Sequence, residues 1–427
     1  MDIIIYPKEN LKGVFTVPGD KSISHRAVMF GSISDGRTNI SGFLTGEDCL
    51  STISCFKKMG IEIEVCGTDV VVHGKGLHGL SSPEGILDVG NSGTTIRLLT
   101  GLLCGQDFNC KLTGDNSIQK RPMERVAVPL REMGADISGI IKDNKLFAPV
   151  NVKGKKLKGI SYAMNVASAQ VKSAILLASL YADGQTEIIE PEPTRNHTEI
   201  MLNYLGADIK RDGNKIISSP VKELYAKEIH VPGDISSAAY FLVTGTICKN
   251  SEITINNVGV NPTRTGIISV LHEMGANISV ENKRVVCGEP VADIHVKYSK
   301  LKGITIGGDI IPSLIDEIPV IAVAASLAEG KTVIKDAGEL KVKESNRIKT
   351  IVCELKKLGA DIEETEDGMV INGVNRLKGN VCESYGDHRI AMSIAVAALA
   401  SQGETTIKGM ECADISFPGF YDYIERL

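Results

Sequence analysis

Apolar residues along this chain follow two periods in turn. In KKMGIEIEV (57–65), REMGADIS (131–138), NYLGADIK (203–210), HEMGANIS (272–279) and KKLGADIE (356–363), the tail of an amphipathic helix passes into a strand of alternating apolar and polar side chains. A glycine stands at each junction, at 60, 134, 206, 275 and 359, where a helix C-terminus calls for a left-handed residue. The phrase returns every 69 to 84 residues, the mark of a repeated structural unit. A second phrase precedes it in most copies: AILLASLYADGQTEIIE, AYFLVTGTICKNSEITI, IAVAASLAEGKTVIK and IAVAALASQGETTIKG. Each reads as a helix of small apolar residues, a short gap and a strand. Faces of Ala and Ser let helices approach closely, which suits helices buried inside a domain. Each unit is therefore predicted as strand, helix, strand, helix and two further strands, with six units arranged three and three. The expected fold class is α/β (α+β).

The boundary has its own marker. VPGDKS at 17–22 is echoed by VPGDIS at 231–236, both on the strand-to-helix passage of the first unit of a half. The chain is expected to cross between halves there, giving one domain of 20–231 and another of 1–19 plus 232–427, with the active site in the interdomain cleft. A plain Pro-Gly strand end is the alternative reading of the same letters.

Bulk properties narrow the class. A length of 427 residues suggests two or three domains, and 43% hydrophobic with 23% charged residues is the balance of a globular protein. A formal charge of -5, 4% aromatics and no Trp argue against a nucleic-acid partner, which asks for a basic stripe with interleaved aromatics. The ten cysteines form no C-x-x-C pair and no Cys/His run, so neither a disulfide frame nor a metal site is expected. Reduced thiols and an amino terminus, MDIIIYPKEN, without the build of a secretory signal point to the cytoplasm. The longest weakly polar runs, such as 318–328, are too short for the roughly 20 residues that span a bilayer. No membrane partner is expected, and no interface is evident that would make the chain other than a monomer.

Walker, Rossmann, H-E-x-x-H and G-x-S-x-G signatures are not in place. What recurs instead is cations at predicted helix starts. PGDKSISHRA (18–27) holds Lys21, Ser22 and Arg26 where cations gain nothing from the helix dipole, so an anionic ligand explains them better than helix stability does; His25 beside them reads as packed or surface rather than as a ligand. DVGNSGTTIRLL (88–99) is a small-residue nest suited to phosphate or carboxylate, though equally an ordinary glycine-rich helix start. DNSIQKRPMERV (115–126) adds Lys120 and Arg121, NVASAQVKSAILLA adds Ser168 and Gln170, and TRNH adds Arg195. Ser168 fits an N-cap as well as a ligand contact. Acids come from the second half: Asp316 and Glu317 in SLIDEIP, both also explicable as helix-stabilising carboxylates. LKVKESNRIK brings Lys343, Glu344 and Arg347, with 343 and 347 predicted on one helical face; YGDHRIAM brings Asp387, His388 and Arg389.

Taken in order over nearly the whole chain, PGDKSISHR, GNSGT, KRPM, ASAQVKSA, PTRNHTE, LKVKESNR and DHRIAM closely resemble the EPSP synthase family of enolpyruvyl transferases. The resemblance implies two inverse α/β-barrel-like domains of three β-α-β-α-β-β copies each. It also implies transfer of the enolpyruvyl group of phosphoenolpyruvate to the 5-hydroxyl of shikimate 3-phosphate, with no cofactor. Carried over by motif, Lys21, Ser22, Arg26, Ser168, Gln170, Arg195, Asp316 and Lys343 would hold shikimate 3-phosphate. Lys21, Asn91, Gly93, Thr94, Arg121, Gln170, Arg347 and Arg389 would hold phosphoenolpyruvate. Asp316 would accept the hydroxyl proton with Lys21 assisting, and Glu344 would protonate C3 with His388 tuning it. Two positions depart from the family pattern: Glu339 stands where many members have Asn, and Ile415 where many have Lys. Gly93 stands where Ala in some members crowds out glyphosate, so inhibition competitive with phosphoenolpyruvate is expected. The alternatives are a UDP-N-acetylglucosamine enolpyruvyl transferase, which usually carries a loop cysteine absent from KRPM (120–123), and a silent phospholigand binder, which need not keep both Asp316 and Glu344. A purely structural repeat protein would not need so many cations at helix starts.

Overall fold

The structure is a computed structural model describing residues 1–427. It gathers into two compact units: a central unit of Gly19–Val231 with Val286–Glu289, and a terminal unit of Met1–Pro18, Pro232–Val285 and Pro290–Leu427.

One motif builds both. In the copy that starts at Leu87–Asp88, helix Gly93–Leu103 leads to strand Asn109–Thr113, then helix Glu124–Glu132 leads to the hairpin of Asp136–Lys142 and Lys145–Lys153. The first strand lies parallel to the second, the fourth inserts antiparallel beside the second, and the third takes the edge. The same order recurs in the copy opened by Ser161–Ala163 and, in the terminal unit, in the copy opened by Thr305–Ile306. Each unit's first copy takes its leading strand from the chain segment before the other unit's helix. Ile229–His230 pairs with Asp35–Ser41, which follows helix Lys21–Ser32; Lys12–Thr16 pairs with Glu252–Gly259, which follows helix Ile235–Ile247. The two VPGD segments are the passages between.

The five junction glycines have φ between +84° and +109°, a region that costs any residue with a Cβ. In the terminal unit every residue of helices Ile235–Ile247, Ile318–Ser326 and His388–Leu399 is buried, as their Ala-rich faces require. The sheets take the outside, with one face wet: in Lys145–Lys153, Leu146, Ala148, Val150 and Val152 are buried while Asn151 and Lys153 are exposed. Helices within and sheets without is the inverse of the usual barrel.

The sixth copy departs from the predicted pattern. After Val381–Glu383, helix His388–Leu399 and strand Thr405–Lys408, a short helix Phe420–Arg426 follows, and no second hairpin. Strand Ile3–Ile5 pairs antiparallel with Thr405–Lys408 in the fourth strand's place, making a three-stranded sheet and satisfying backbone groups that a missing hairpin would leave bare. No helix is long and apolar enough to cross a membrane.

Candidate active site

In the central unit three helices present their N-termini: Lys21–Ser32, Gly93–Leu103 and Ala169–Ser179. Their caps are Asp20, Ser92 and Ser168, whose side chains accept from Ile23 N (2.9 Å), Thr95 N (3.1 Å) and Val171 N (3.4 Å). Ser168 is thus an N-cap, one of the two roles open to it from sequence. Lys21 is half-buried, its Nζ donating to Asp48 Oδ2 at 3.1 Å, and Ser22 is half-buried beside it. Arg26 is buried and each of its nitrogens is held: Nε by Thr198 Oγ1 (2.7 Å), Nη1 by Ser22 O (2.9 Å) and Nη2 by Ser173 Oγ (2.9 Å). Burial pushes its guanidinium down to about 10, against the pull of Glu199 and Asp20. Its contacts bind three helices together.

Around the second helix start, Arg121 Nη2 donates to Asn91 Oδ1 at 2.9 Å, and Asn91 Nδ2 donates to Asp115. Gln170 Nε2 reaches Thr94 Oγ1 at 3.1 Å, and Gln170 Oε1 accepts from Arg97 Nη1. Arg97 was not singled out from sequence. Its signal was its position one helical turn after Gly93 in the same nest motif, on the same face. A Cβ on Gly93 would stand 3.0 Å from Arg121 Nη1 and 3.5 Å from Arg97 Nη1, so the glycine keeps two guanidinium groups close to the helix start. Lys120 is exposed at the end of the short turn Ile118–Lys120.

Below these groups lie two buried polar networks. His25 is packed, as one sequence reading had it: Nδ1 meets Thr52 Oγ1 at 2.7 Å, Thr52 meets Thr95 Oγ1 at 2.7 Å, and Thr95 donates to Ser92 Oγ at 2.7 Å. The chain of hydroxyls ties three helices, and burial pushes the imidazole down to about 3, keeping it neutral. In the second network Lys172, fully buried, lies 2.7 Å from Glu199 Oε1 and 3.2 Å from Glu190 Oε1, and donates to Thr194 O at 3.2 Å. That last bond holds the peptide leading into half-buried Arg195.

In the terminal unit Asp316 Oδ1 accepts from Lys343 Nζ and from Arg347 Nη1, each at 3.4 Å. Arg347 also donates through Nη2 to Glu344 Oε2 (2.5 Å) and through Nε to Asp387 Oδ2 (2.9 Å). Burial opposes its charge, but the carboxylates of Asp387, Glu344 and Asp316 outweigh it and hold Arg347 above the usual arginine range. Lys343 and Arg347 do not share a helical face, as their spacing had suggested. The helix begins at Arg347, because Asn346 caps it by accepting from Lys349 N, and Lys343 lies in the irregular segment before. The two side chains nevertheless converge on Asp316.

Asp387 caps helix His388–Leu399 by accepting from Arg389 N (2.9 Å) and also accepts from Ser345 Oγ. Burial opposes its ionisation, yet Arg347 holds its carboxyl below the usual range. His388 is buried at the same helix start. Arg389, buried, donates to Glu317 Oε1 at 3.4 Å. Glu317 stands at the N-cap of helix Ile318–Ser326, the placement its position allowed, and is also a buried partner of Arg389 and of Ser236. Arg264, which sequence gave no reason to single out, donates to Ser236 Oγ (2.6 Å) and Asp234 (3.2 Å). Of the two departing positions, Glu339 is exposed in the turn Gly338–Val342, and Ile415 packs half-buried on the core.

The two units therefore treat their helix N-termini differently. The central unit caps its three with Asp20, Ser92 and Ser168; the terminal unit faces its three with Asp234, Glu317 and Asp387. With one carboxylate against three, the positive helix ends of the central unit remain the better receivers of an outside anion.

Known proteins share this architecture. The sequence profile of the family described as EPSP synthase (3-phosphoshikimate 1-carboxyvinyltransferase) matches residues 5–424. The chain is 62% identical over 427 residues to the 3-phosphoshikimate 1-carboxyvinyltransferase of Thermoanaerobacter pseudethanolicus, covering 100% of both. To that of Bacillus cereus it is 57% identical over 424 residues, covering 99% of this chain and 98% of the other. A solved EPSP synthase from Acinetobacter baumannii superposes with a TM-score of 0.90 at 48% identity, covering 100% of this chain and 98% of that one.

Proposed function

This chain belongs to the EPSP synthase (3-phosphoshikimate 1-carboxyvinyltransferase) family, and from that membership we propose that it joins phosphoenolpyruvate to the 5-hydroxyl of shikimate 3-phosphate and releases inorganic phosphate. Within the chain, the observation that carries the reading is the division of charge: a receptive, cation-lined set of helix starts in the central unit, and a carboxylate pair, Asp316 and Glu344, gathered on Arg347 in the terminal unit. Both substrates are polyanions, so fixed cations lower the cost of holding them together. Acid-base groups then do the chemistry.

The acceptor hydroxyl loses its proton and bonds to C2 of phosphoenolpyruvate while C3 gains a proton. The resulting tetrahedral adduct loses phosphate by cleavage of the C2–O bond as C3 gives up a proton, restoring the vinyl group. Every step is a proton transfer or a change in a C–O bond. Asp316, already accepting from Lys343 and Arg347, takes the hydroxyl proton in this scheme, with Lys21 assisting. Glu344 supplies and removes the C3 proton, and His388 tunes it.

Shikimate 3-phosphate is assigned to Lys21, Ser22, Arg26, Ser168, Gln170, Arg195, Asp316 and Lys343. Phosphoenolpyruvate is assigned to Lys21, Asn91, Gly93, Thr94, Arg121, Gln170, Arg347 and Arg389. Arg26, with each nitrogen engaged inside the protein, serves mainly by fixing Ser22 and the 197–204 helix. Since one chain supplies both sets, the enzyme is proposed to act as a monomer, and its ten free thiols, seven of them buried, suit the cytoplasm.

Phosphate release with purified protein tests the assignment. Release with phosphoenolpyruvate and shikimate 3-phosphate, and none when UDP-N-acetylglucosamine replaces the acceptor, is expected; the reverse preference would overturn it.

A further inference from the structure

The terminal unit contains a cavity of about 720 Å³ at the C-terminal ends of its three buried helices, where Ile247 and Cys248, Leu327 and Ala328, and Leu399 and Ala400 line it. The central unit shows what can fill such a place. There helix Ala169–Ser179 runs on into Leu180 and Tyr181, whose ring packs edge-on to His78 with centroids 5.6 Å apart. It also presses on Gly105, where a Cβ would come within 2.4 Å of it. Counted from the helix ends, SLY aligns with SLA and with ALA, so Ala328 and Ala400 follow their helices where the other unit has its tyrosine, SLAEG being one residue shorter before its glycine. Neither of these two helix ends carries a ring into the cavity, although Tyr298 lines it from the side.

Its rim carries charge. Lys249, Lys300 and Arg376 line it with Lys8, against Glu9 and Glu329. Lys249 lies 4.0 Å from Glu9, and Lys8 donates to the carbonyls of Ile424 and Glu425, while Lys300 and Arg376 are exposed and make no ion pair. The negative helix ends do not cancel these cations, because backbone donors already cover them: Ser299 N on Thr246 O, Val374 N on Ser326 O and Lys8 N on Leu399 O, at 2.9 to 3.0 Å. The volume lies within the roughly 300–1,000 Å³ of small-molecule pockets.

From the missing ring and the unpaired cations we propose that this cavity binds a small aryl carboxylate, the ring on the apolar floor in place of a tyrosine and the carboxylate toward Lys300 and Arg376. Helix His388–Leu399 separates it by its full length, roughly 18 Å at 1.5 Å per residue, from Arg389 at the other end. Binding there is separable from turnover.

Calorimetric titration of the full chain with 4-hydroxyphenylacetate tests this, with thermal unfolding in parallel. The intact protein is expected to bind saturably with a rising Tm. Ala328→Tyr, which supplies the other unit's ring, is expected to abolish that binding while phosphate release continues. The double variant Lys300→Glu with Arg376→Glu is expected to weaken affinity roughly five- to tenfold, and decides the matter should Ala328→Tyr fail to fold. The uncharged 4-methylphenol should bind less tightly than the acid. No saturable binding at millimolar probe, or binding that phosphoenolpyruvate displaces and both variants leave unchanged, would overturn the proposal.

Discussion

Arg347 and Asp387 are joined twice inside the terminal unit, Nε to Oδ2 at 2.9 Å and Nη2 to Oδ1 at 3.3 Å, with both side chains buried. The paired hydrogen bonds fix the guanidinium plane, and with it the direction of the two edges that meet Asp316 and Glu344. Asp387 is thereby the hub on which the two carboxylates proposed to react are ordered, although it is not assigned to either substrate.

Asp387→Asn is expected to destabilise the protein by about 3–5 kcal/mol, because it leaves a buried arginine without its main counter-charge. It should also raise KM for phosphoenolpyruvate more than KM for shikimate 3-phosphate. Urea unfolding and steady-state kinetics read the two effects; equal changes in both KM values would count against the assignment of Arg347.

Asp316→Asn and Glu344→Gln are each expected to lower kcat by roughly 10²- to 10⁴-fold, the usual worth of a placed acid or base. Each should remove one limb of the pH–rate profile. Near-normal turnover in either variant would free that residue from its role.

Gly93→Ala puts a methyl group 3.0 Å from Arg121 Nη1, so the arginine must shift by a few tenths of an ångström. Inhibition by glyphosate is expected to weaken by roughly tenfold or more, with a smaller rise in KM for phosphoenolpyruvate. Inhibition assays at varied phosphoenolpyruvate check both, and an unchanged inhibition constant would contradict the placement of that substrate.

His25 gives the fold an acid limit. Its imidazole is neutral in the folded chain down to about pH 3 but titrates near 6.5 when unfolded. Between those values the unfolded chain binds a proton that the folded chain does not, so stability falls by about 1.4 kcal/mol for each pH unit below 6.5. Asp387, whose folded carboxyl lies below the usual range, contributes stability above that range and loses it only at lower pH. Denaturant unfolding from pH 6.5 to about 4.5 should therefore show a loss of roughly 2–3 kcal/mol that His25→Gln removes.

Lys172→Met leaves Glu190 and Glu199 with Arg211 as their remaining ion-pair partner, its Nη1 3.1 Å and 3.9 Å from them. A stability loss of about 3–5 kcal/mol is expected, partly recovered in the double variant with Glu190→Gln. Because Lys172 also holds the peptide before Arg195, KM for shikimate 3-phosphate should rise while kcat changes little. Thermal unfolding and kinetics together check it.

The repeat was legible because it is written locally: a glycine at each helix end and alternation after it need no distant partner. The shortened sixth copy was not, since the absence of a second hairpin matters only once Ile3–Ile5 is seen to complete its sheet. Motif residues at helix starts could be named from their letters, but their partners could not. Asp48 beside Lys21, Glu317 beside Arg389 and Asp387 beside Arg347 are separated by 27, 72 and 40 residues. Helical spacing misplaced Lys343 because the cap at Asn346 overrides it. Charges that looked like ordinary helix decoration proved to be buried counter-ions, a distinction that rests on tertiary packing.

The proposed chemistry is tested most directly by NMR of phosphoenolpyruvate and shikimate 3-phosphate turned over by the protein in D₂O. Phosphate and an enolpyruvyl ether are expected to form one to one, with deuterium entering the C3 methylene, because C3 is protonated and deprotonated on the way. No ether, or an ether whose methylene stays free of deuterium, would contradict it.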